Sequence, residues 1–167
     1  MKTSALIFRF RIVMLVFIIG LVLSGVTAFP LLYELDLLAK MLGVGAATSA
    51  EGHTGIAYWI LTVKLGLGDT YTHYPWIAYG TDWLAFAHIV IAMFFIGPFI
   101  NPLSARANIY TGIAACISVI PLALICGPIR GIPFYWRLID CSFGVFGILP
   151  LLYCLRLIRR MEKEVTK

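Results

Sequence analysis

Ionisable side chains are scarce in this 167-residue chain: Asp, Glu, Lys and Arg make up 13% of it, about half the share of a typical soluble domain. With apolar and aromatic residues at 61%, the chain has too little polar surface to cover a water-facing globule, and it has to face lipid. Catalytic signatures are missing as well. There is no GxSxG, HExxH, P-loop or dinucleotide fingerprint, so the enzyme classes recognised by such motifs lose their usual support. The four cysteines, Cys116, Cys126, Cys141 and Cys154, show no CxxC or Cys/His spacing, which leaves thiol-redox chemistry and zinc without a motif. They read as small apolar fillers. Cys126 with Cys141, and Cys116 with Cys154, lie at matching depths of adjacent helices, but a disulfide needs closely facing Cβ atoms.

The net charge of +5 does not point to nucleic acid, because the basic residues flank apolar runs and form no water-facing patch. Those runs define the architecture. Ile12–Leu32 carries no charge and is long enough to cross about 30 Å of hydrocarbon, giving a first span over 9–33. Lys2, Arg9 and Arg11 before it and Val26-Thr27-Ala28 near its end imitate a signal peptide. The run exceeds the 7–15 residues of a signal core, however, and a retained helix is expected. Further spans are expected over 76–100, 108–129 and 132–157. Between the first two, residues 34–75 read as an outer loop with short helices around Tyr33–Leu42 and Thr54–Leu67, at the membrane surface or docked on the bundle. The apolar stretch Ile56–Leu67, which contains Lys64, is too short to span. Short connections at Asn101–Asn108 and Pro128–Pro133 make consecutive helices antiparallel neighbours. The expected fold is one all-α transmembrane domain over residues 1–167, an antiparallel four-helix bundle.

This layout gathers Lys2, Arg9, Arg11, Arg106, Arg156, Arg159, Arg160, Lys163 and Lys167 on one side and leaves Lys40, Lys64, Arg130 and Arg137 on the other. The positive-inside bias then puts both termini in the cytoplasm. Gly20, Ser24 and Ala28 recur every four residues on the first span, and Gly144 and Gly147 lie on the fourth; small side chains let membrane helices approach closely. Pro98, Pro121 and Pro150 interrupt spans two, three and four, and free the carbonyls of Phe94, Ile117 and Phe146.

Ionisable groups at membrane depth are expensive and are functional candidates by default. Here they are Asp82, His88, Arg137 and Asp140. Counted along their helices, Asp82, Arg137 and Asp140 share one level near the outer surface, about 6–10 Å in. Arg137 and Asp140 are three apart on one face, so an Asp–Arg–Asp cluster with Asp82 would satisfy the guanidinium from two sides. Such a cluster is a structural clamp, or else an outward pocket for a small anion or headgroup with Arg130, Tyr79, Tyr135 and Trp136 in its lining. His88, deeper on the second span, suits a proton relay or a haem ligand. A bis-histidine haem needs a second His at its depth, and His53 and His73 both lie in the outer loop. No cofactor is assigned, and haem is the candidate that His88 offers. Glu34, Asp36, Glu51, His53 and His73 match no metal motif and read as solvated loop residues.

Three segments, Ser24-Gly-Val-Thr-Ala-Phe-Pro30, Tyr79-Gly-Thr-Asp-Trp-Leu-Ala-Phe-Ala-His88 and Gly127-Pro-Ile-Arg-Gly-Ile-Pro-Phe-Tyr-Trp-Arg-Leu-Ile-Asp-Cys-Ser-Phe-Gly144, carry a resemblance. Over most of its length the chain resembles a group of small uncharacterised bacterial integral membrane proteins with four spans. The resemblance implies a bacterial inner membrane and no mechanism. The CxxC pair of redox proteins of the vitamin K epoxide reductase type is missing.

The expected function is that of a non-enzymatic membrane component, an accessory or scaffold subunit or a binder of a lipid-like or anionic ligand. Its partners would be the bilayer and either a membrane subunit or a second copy of the chain, with no nucleic acid. The alternatives are a redox or proton-handling protein that holds haem or quinone near His88, and a small oligomeric transporter. Reporter tags fused to the two termini are expected on the same, cytoplasmic side; tags on opposite sides would remove one span or add one.

Overall fold

The computed structural model describes residues 2–165 of the chain, and among them the regular structure is entirely helical. In order, the helices are α1 (Lys2–Ala28), α2 (Leu31–Met41), α3 (Gly55–His73), α4 (Pro75–Phe94), α5 (Ile96–Ile100), α6 (Arg106–Ile129) and α7 (Phe134–Val165), with a 3-10 turn at Pro102–Ser104. Four stretches are long and apolar enough to cross a membrane: Thr3–Ala28, Pro75–Ile100, Arg106–Ile129 and Phe134–Glu164. The chain is an all-α, multi-pass membrane protein.

Two boundaries differ from the expected ones for identifiable reasons. The first span begins at Lys2 and ends at Ala28, not at residue 33. Pro30 has no N–H to donate and disfavours helical geometry at Phe29, so the apolar run is cut and its tail starts α2. α3 continues past Leu67 to His73, and within that extension Thr70 and Thr72 bond back to the carbonyls of Gly66 and Gly68, which satisfies their hydroxyls inside the helix. α3 is not among the stretches apolar enough to cross. The expected surface segment thus contains two helices.

The chain gathers into two compact units, one formed by residues 1–20 and 92–167, the other by residues 21–91. In the first, α6 and α7 run antiparallel along their whole length: Gly127 meets Arg137, Cys116 meets Gly144 and Gly147, and Gly112 meets Leu151. The reversal between them is a Schellman motif. Ile132 N–H bonds the Gly127 carbonyl at 2.9 Å and Gly131 N–H that of Pro128 at 3.1 Å, while Gly131 takes φ 70°, which an L side chain would resist. Pro121 and Pro150 lie within unbroken helices. Pro98 behaves differently, because the helix ahead of it stops at Phe94 and resumes at Ile96. The Phe94 carbonyl accepts from the Asn108 side-chain amide at 3.3 Å.

Packing in this unit is concentrated at one end. Phe10 and Met14 of α1, Ile109 of α6, and Leu151, Cys154, Leu157, Ile158 and Met161 of α7 are fully or almost fully buried. At that end Thr3 donates to Glu164 at 2.8 Å, Arg106 pairs with Glu162 at 2.6 Å, and Arg11 donates to the last carbonyls of α5, those of Phe99 and Ile100. Toward the opposite end Leu122, Ile125, Ile129, Phe143 and Phe146 are all more than 60% exposed, a surface suited to hydrocarbon. In lipid the hydrophobic effect does not drive helices together, and burial of this kind is favoured only where they emerge into water.

The second unit contains an antiparallel α2–α3 hairpin, with Leu35 and Ala39 buried on one helix and Ile60 and Leu61 on the other. α1 meets α4 at Gly25, where an added Cβ would lie 2.7 Å from the Ala85 carbonyl oxygen. Gly20, first in the expected small-residue stripe, has nothing within 4 Å of an added Cβ, so the close approach is one residue past Ser24. All four cysteines are free. Cys116 faces Gly144 and Gly147, and the Cys141 thiol points to the Ile120 carbonyl at 4.0 Å.

A methyl group at Gly144 would lie 2.5 Å from the Cys116 carbonyl oxygen. Gly144→Ala is expected to destabilise the α6–α7 pair by about 1–3 kcal/mol, the usual cost of overpacking. Gly20→Ala should be neutral or slightly stabilising. Equilibrium unfolding of the two variants in mixed micelles checks the contrast.

Candidate functional site

The ionisable residues expected at membrane depth are distributed over both units. Arg137 and Asp140 lie in the first two turns of α7, Arg130 closes α6, and Asp82, Tyr79 and His88 lie on α4 in the other unit.

The Schellman turn decides where Arg137 goes. By returning α7 beside the last turn of α6, it lays the Arg137 side chain directly on Gly127, where the absence of a Cβ makes room for its Cγ and Cδ. The guanidinium lies over the Phe134 ring, 5.2 Å from its centroid, in cation–π contact. Its Nε is buried and has no hydrogen-bond partner. Among the described residues Arg137 and Asp140 form no ion pair, although they are one turn apart and both are partly buried. Arg130 is exposed, and its backbone N–H is taken by the Cys126 and Gly127 carbonyls at 3.1 Å.

On α4, Asp82 is partly buried and takes no part in an ion pair within its unit. Tyr79 is 61% exposed and stacks edge-on against Trp83, which in turn meets Phe86. Such an exposed aromatic ladder suits the membrane interface. His88 Nδ1 lies 2.8 Å from the Leu84 carbonyl oxygen. A carbonyl only accepts, so Nδ1 is the donor in this contact, and among the described residues no hydrogen bond involves Nε2. Among the described residues no group of three or more His, Cys, Asp or Glu side chains is arranged to hold a metal ion.

The α2–α3 hairpin holds a polar network outside the expected site residues. Asp36 accepts from Lys40 at 2.6 Å, one turn along α2, and from Lys64 of α3 at 2.7 Å; Lys64 also donates to the Gly45 carbonyl at 3.1 Å. Lys64 is only 17% exposed, so these acceptors replace most of its water. A lone cation inside the apolar stretch Ile56–Leu67 was the available signal, together with the four-residue spacing of Asp36 and Lys40. Of the acids and histidines read as solvated, Asp36 is thus engaged, and His73 contacts Asp69 at 3.1 Å. An open groove of about 850 Å³ runs between the two helices, lined by Leu32, Tyr33, Lys64, Asp69 and His73 among others.

Hydrogen bonds from Lys40 and then Lys64 hold the Asp36 carboxyl below its ordinary 3.8, at about 2, and the same contact raises Lys40. A depressed carboxylate contributes stability that is complete above the unfolded value and lost as pH falls through the folded one. Comparison with protein families, curated proteins and solved structures finds no match for this chain. What the fold itself defines is the class, a multi-pass helical membrane protein.

The hairpin is therefore expected to loosen as pH falls from about 4 to about 2, read as faster amide exchange over residues 35–64. Asp36→Asn should show the loosened state already at neutral pH and lose the acid transition; an unchanged transition would assign it to another group.

Proposed function

We propose that this protein is a non-enzymatic component of a bacterial inner membrane that binds the acidic group of a lipid-like ligand at Arg137. One observation carries the reading. A guanidinium near the start of a membrane-spanning helix is seated on Gly127 and Phe134, with a buried Nε lacking a partner and, among the described residues, no ion-paired carboxylate. An Arg at membrane depth ordinarily pairs, and its planar fork matches a carboxylate or phosphate. The ring beneath it fixes its position without neutralising it, which leaves its charge for an incoming anion. Asp140, one turn away, and the exposed Arg130 set the charge at the mouth of such a site.

The orientation proposed puts both termini in the cytoplasm. It is supported by the nine-to-four division of basic residues and by the Thr3–Glu164 hydrogen bond, which joins the two ends of the chain. The resemblance to small bacterial four-span proteins supports the choice of membrane. A second reading, proton or redox handling at His88, draws support from its fixed Nδ1–H and open Nε2, the arrangement that a ligating or relaying imidazole uses. An accessory role beside a partner membrane subunit and a small oligomeric transporter are the remaining forms.

Calorimetric titration of the purified chain with short-chain phosphatidic acid is expected to show saturable binding. Arg137→Gln should weaken it at least about tenfold, the usual worth of a charged hydrogen bond, while Arg137→Lys should weaken it less. Absence of saturable binding, or an undiminished affinity in Arg137→Gln, would overturn the reading. A haem spectrum lost on His88→Ala would favour the second.

A further inference from the structure

The last four turns of α7 divide into two faces. Leu151, Cys154, Leu155, Leu157, Ile158 and Met161 are buried, and at about 100° per residue they cover an arc of about 160°. Arg156, Arg159, Arg160 and Lys163 are all exposed and fall within an arc of about 100° on the far side. Spacings of three and four residues stack them into one continuous basic stripe. The acids of the same segment are engaged away from it. Glu162 is bound by Arg106 at 2.6 Å, and Glu164 accepts from Thr3 at 2.8 Å. Among the described residues no ion pair involves any of the four cations. Arg159 makes a single contact, donating to the Tyr110 hydroxyl at 3.4 Å.

Height along the helix indicates what meets the stripe. α7 has 32 residues, about 48 Å, which exceeds a hydrocarbon core of about 30 Å. Measured from Phe134, Arg156 lies about 33 Å and Lys163 about 44 Å along the axis. Polar headgroups add about 5–8 Å on each side, so the stripe enters the headgroup layer at Arg156 and runs through it into the water beyond. The opposite face is fixed against α1 and α6, so the stripe cannot rotate away.

We infer that Arg156, Arg159, Arg160 and Lys163 form a binding surface for the phosphates of anionic lipids in the leaflet where α7 ends. The surface is separate from Arg137 and needs only that α7 spans the bilayer. Basic clusters at this height attract anionic headgroups, each Lys or Arg adding an increment that salt screens. The buried face holds this stretch as a rigid helix, so little backbone freedom remains to be lost on binding.

The test uses the full chain in phosphatidylcholine bilayers containing trace spin-labelled phosphatidylglycerol or spin-labelled phosphatidylcholine. Motional restriction of the label reports lipid held at the protein. The restricted fraction of phosphatidylglycerol is expected to exceed that of phosphatidylcholine at least about twofold and to fall toward it at about 1 M salt. Replacing all four residues by Gln should remove most of the excess, and replacing the three arginines by Lys should preserve it. If the fourfold variant fails to insert, the Arg156→Gln/Arg160→Gln and Arg159→Gln/Lys163→Gln pairs should each remove about half of the excess. Equal restriction of both lipids in the unaltered protein would overturn the inference, as would an excess that the Gln variants keep.

Discussion

A backbone inside hydrocarbon has no water to bond with, and every amide and carbonyl must find its partner in the protein. This constraint makes the spans helical, and it governs each departure from helix. Where Pro98 and the break at Phe95 disturb the ladder, Asn108 reaches the Phe94 carbonyl, and Arg11 caps the carbonyls of Phe99 and Ile100. Where α6 turns back, the Schellman bonds around Gly131 take up the Gly127 and Pro128 carbonyls. Hydroxyls are treated in the same way: Thr27, Thr111 and Ser118 bond to carbonyls of the preceding turn of their own helices.

The same solvent explains why burial is uneven. Lipid tails are as apolar as leucine, so helices in hydrocarbon associate by close packing rather than by exclusion of water. Close packing is what Gly25, Gly112 and Gly144 provide, each under a neighbour that an added Cβ would strike. The large side chains that are wholly buried, Phe10, Met14, Leu157, Ile158 and Met161 among them, lie instead at the end where α7 outruns the hydrocarbon. There water returns, and with it ion pairs such as Arg106–Glu162 and an ordinary hydrophobic core. The charges of the α2–α3 hairpin follow the rule that a partly desolvated cation keeps company: Lys64 has Asp36 and Gly45.

Arg137 stands apart from this pattern. Its sequence environment, one turn from Asp140, allowed a clamp or an open pocket; its side chain lies over Phe134 and Gly127. Helix geometry gives the depth of a residue and the face it occupies; it does not give the rotamer. Gly127, ten residues away, opens the space that the side chain takes, and nothing in the local spacing of Arg137 announces that choice. The Asp36–Lys64 contact was hidden for a similar reason, since it depends on a hairpin register set by Leu35, Ala39, Ile60 and Leu61. Half of that network, the Asp36–Lys40 pair, was legible as a four-residue spacing within one helix.

The amino-acid sequence alone determined the class of fold and the number of spanning helices, because length and charge content decide whether a stretch can reside in hydrocarbon, and both are additive along the chain. Its turn residues also marked the short reversal at Pro128–Pro133, whereas of the three interrupting prolines Pro98 lies just past a helix break and Pro121 and Pro150 lie within unbroken helices. Tertiary structure decided which glycine lies at a helix crossing, Gly25 and not Gly20, and which partners the few charges take. Those outcomes depend on the rotation of each helix about its axis. That rotation is set by the summed packing of side chains distant in sequence, and no local pattern carries it.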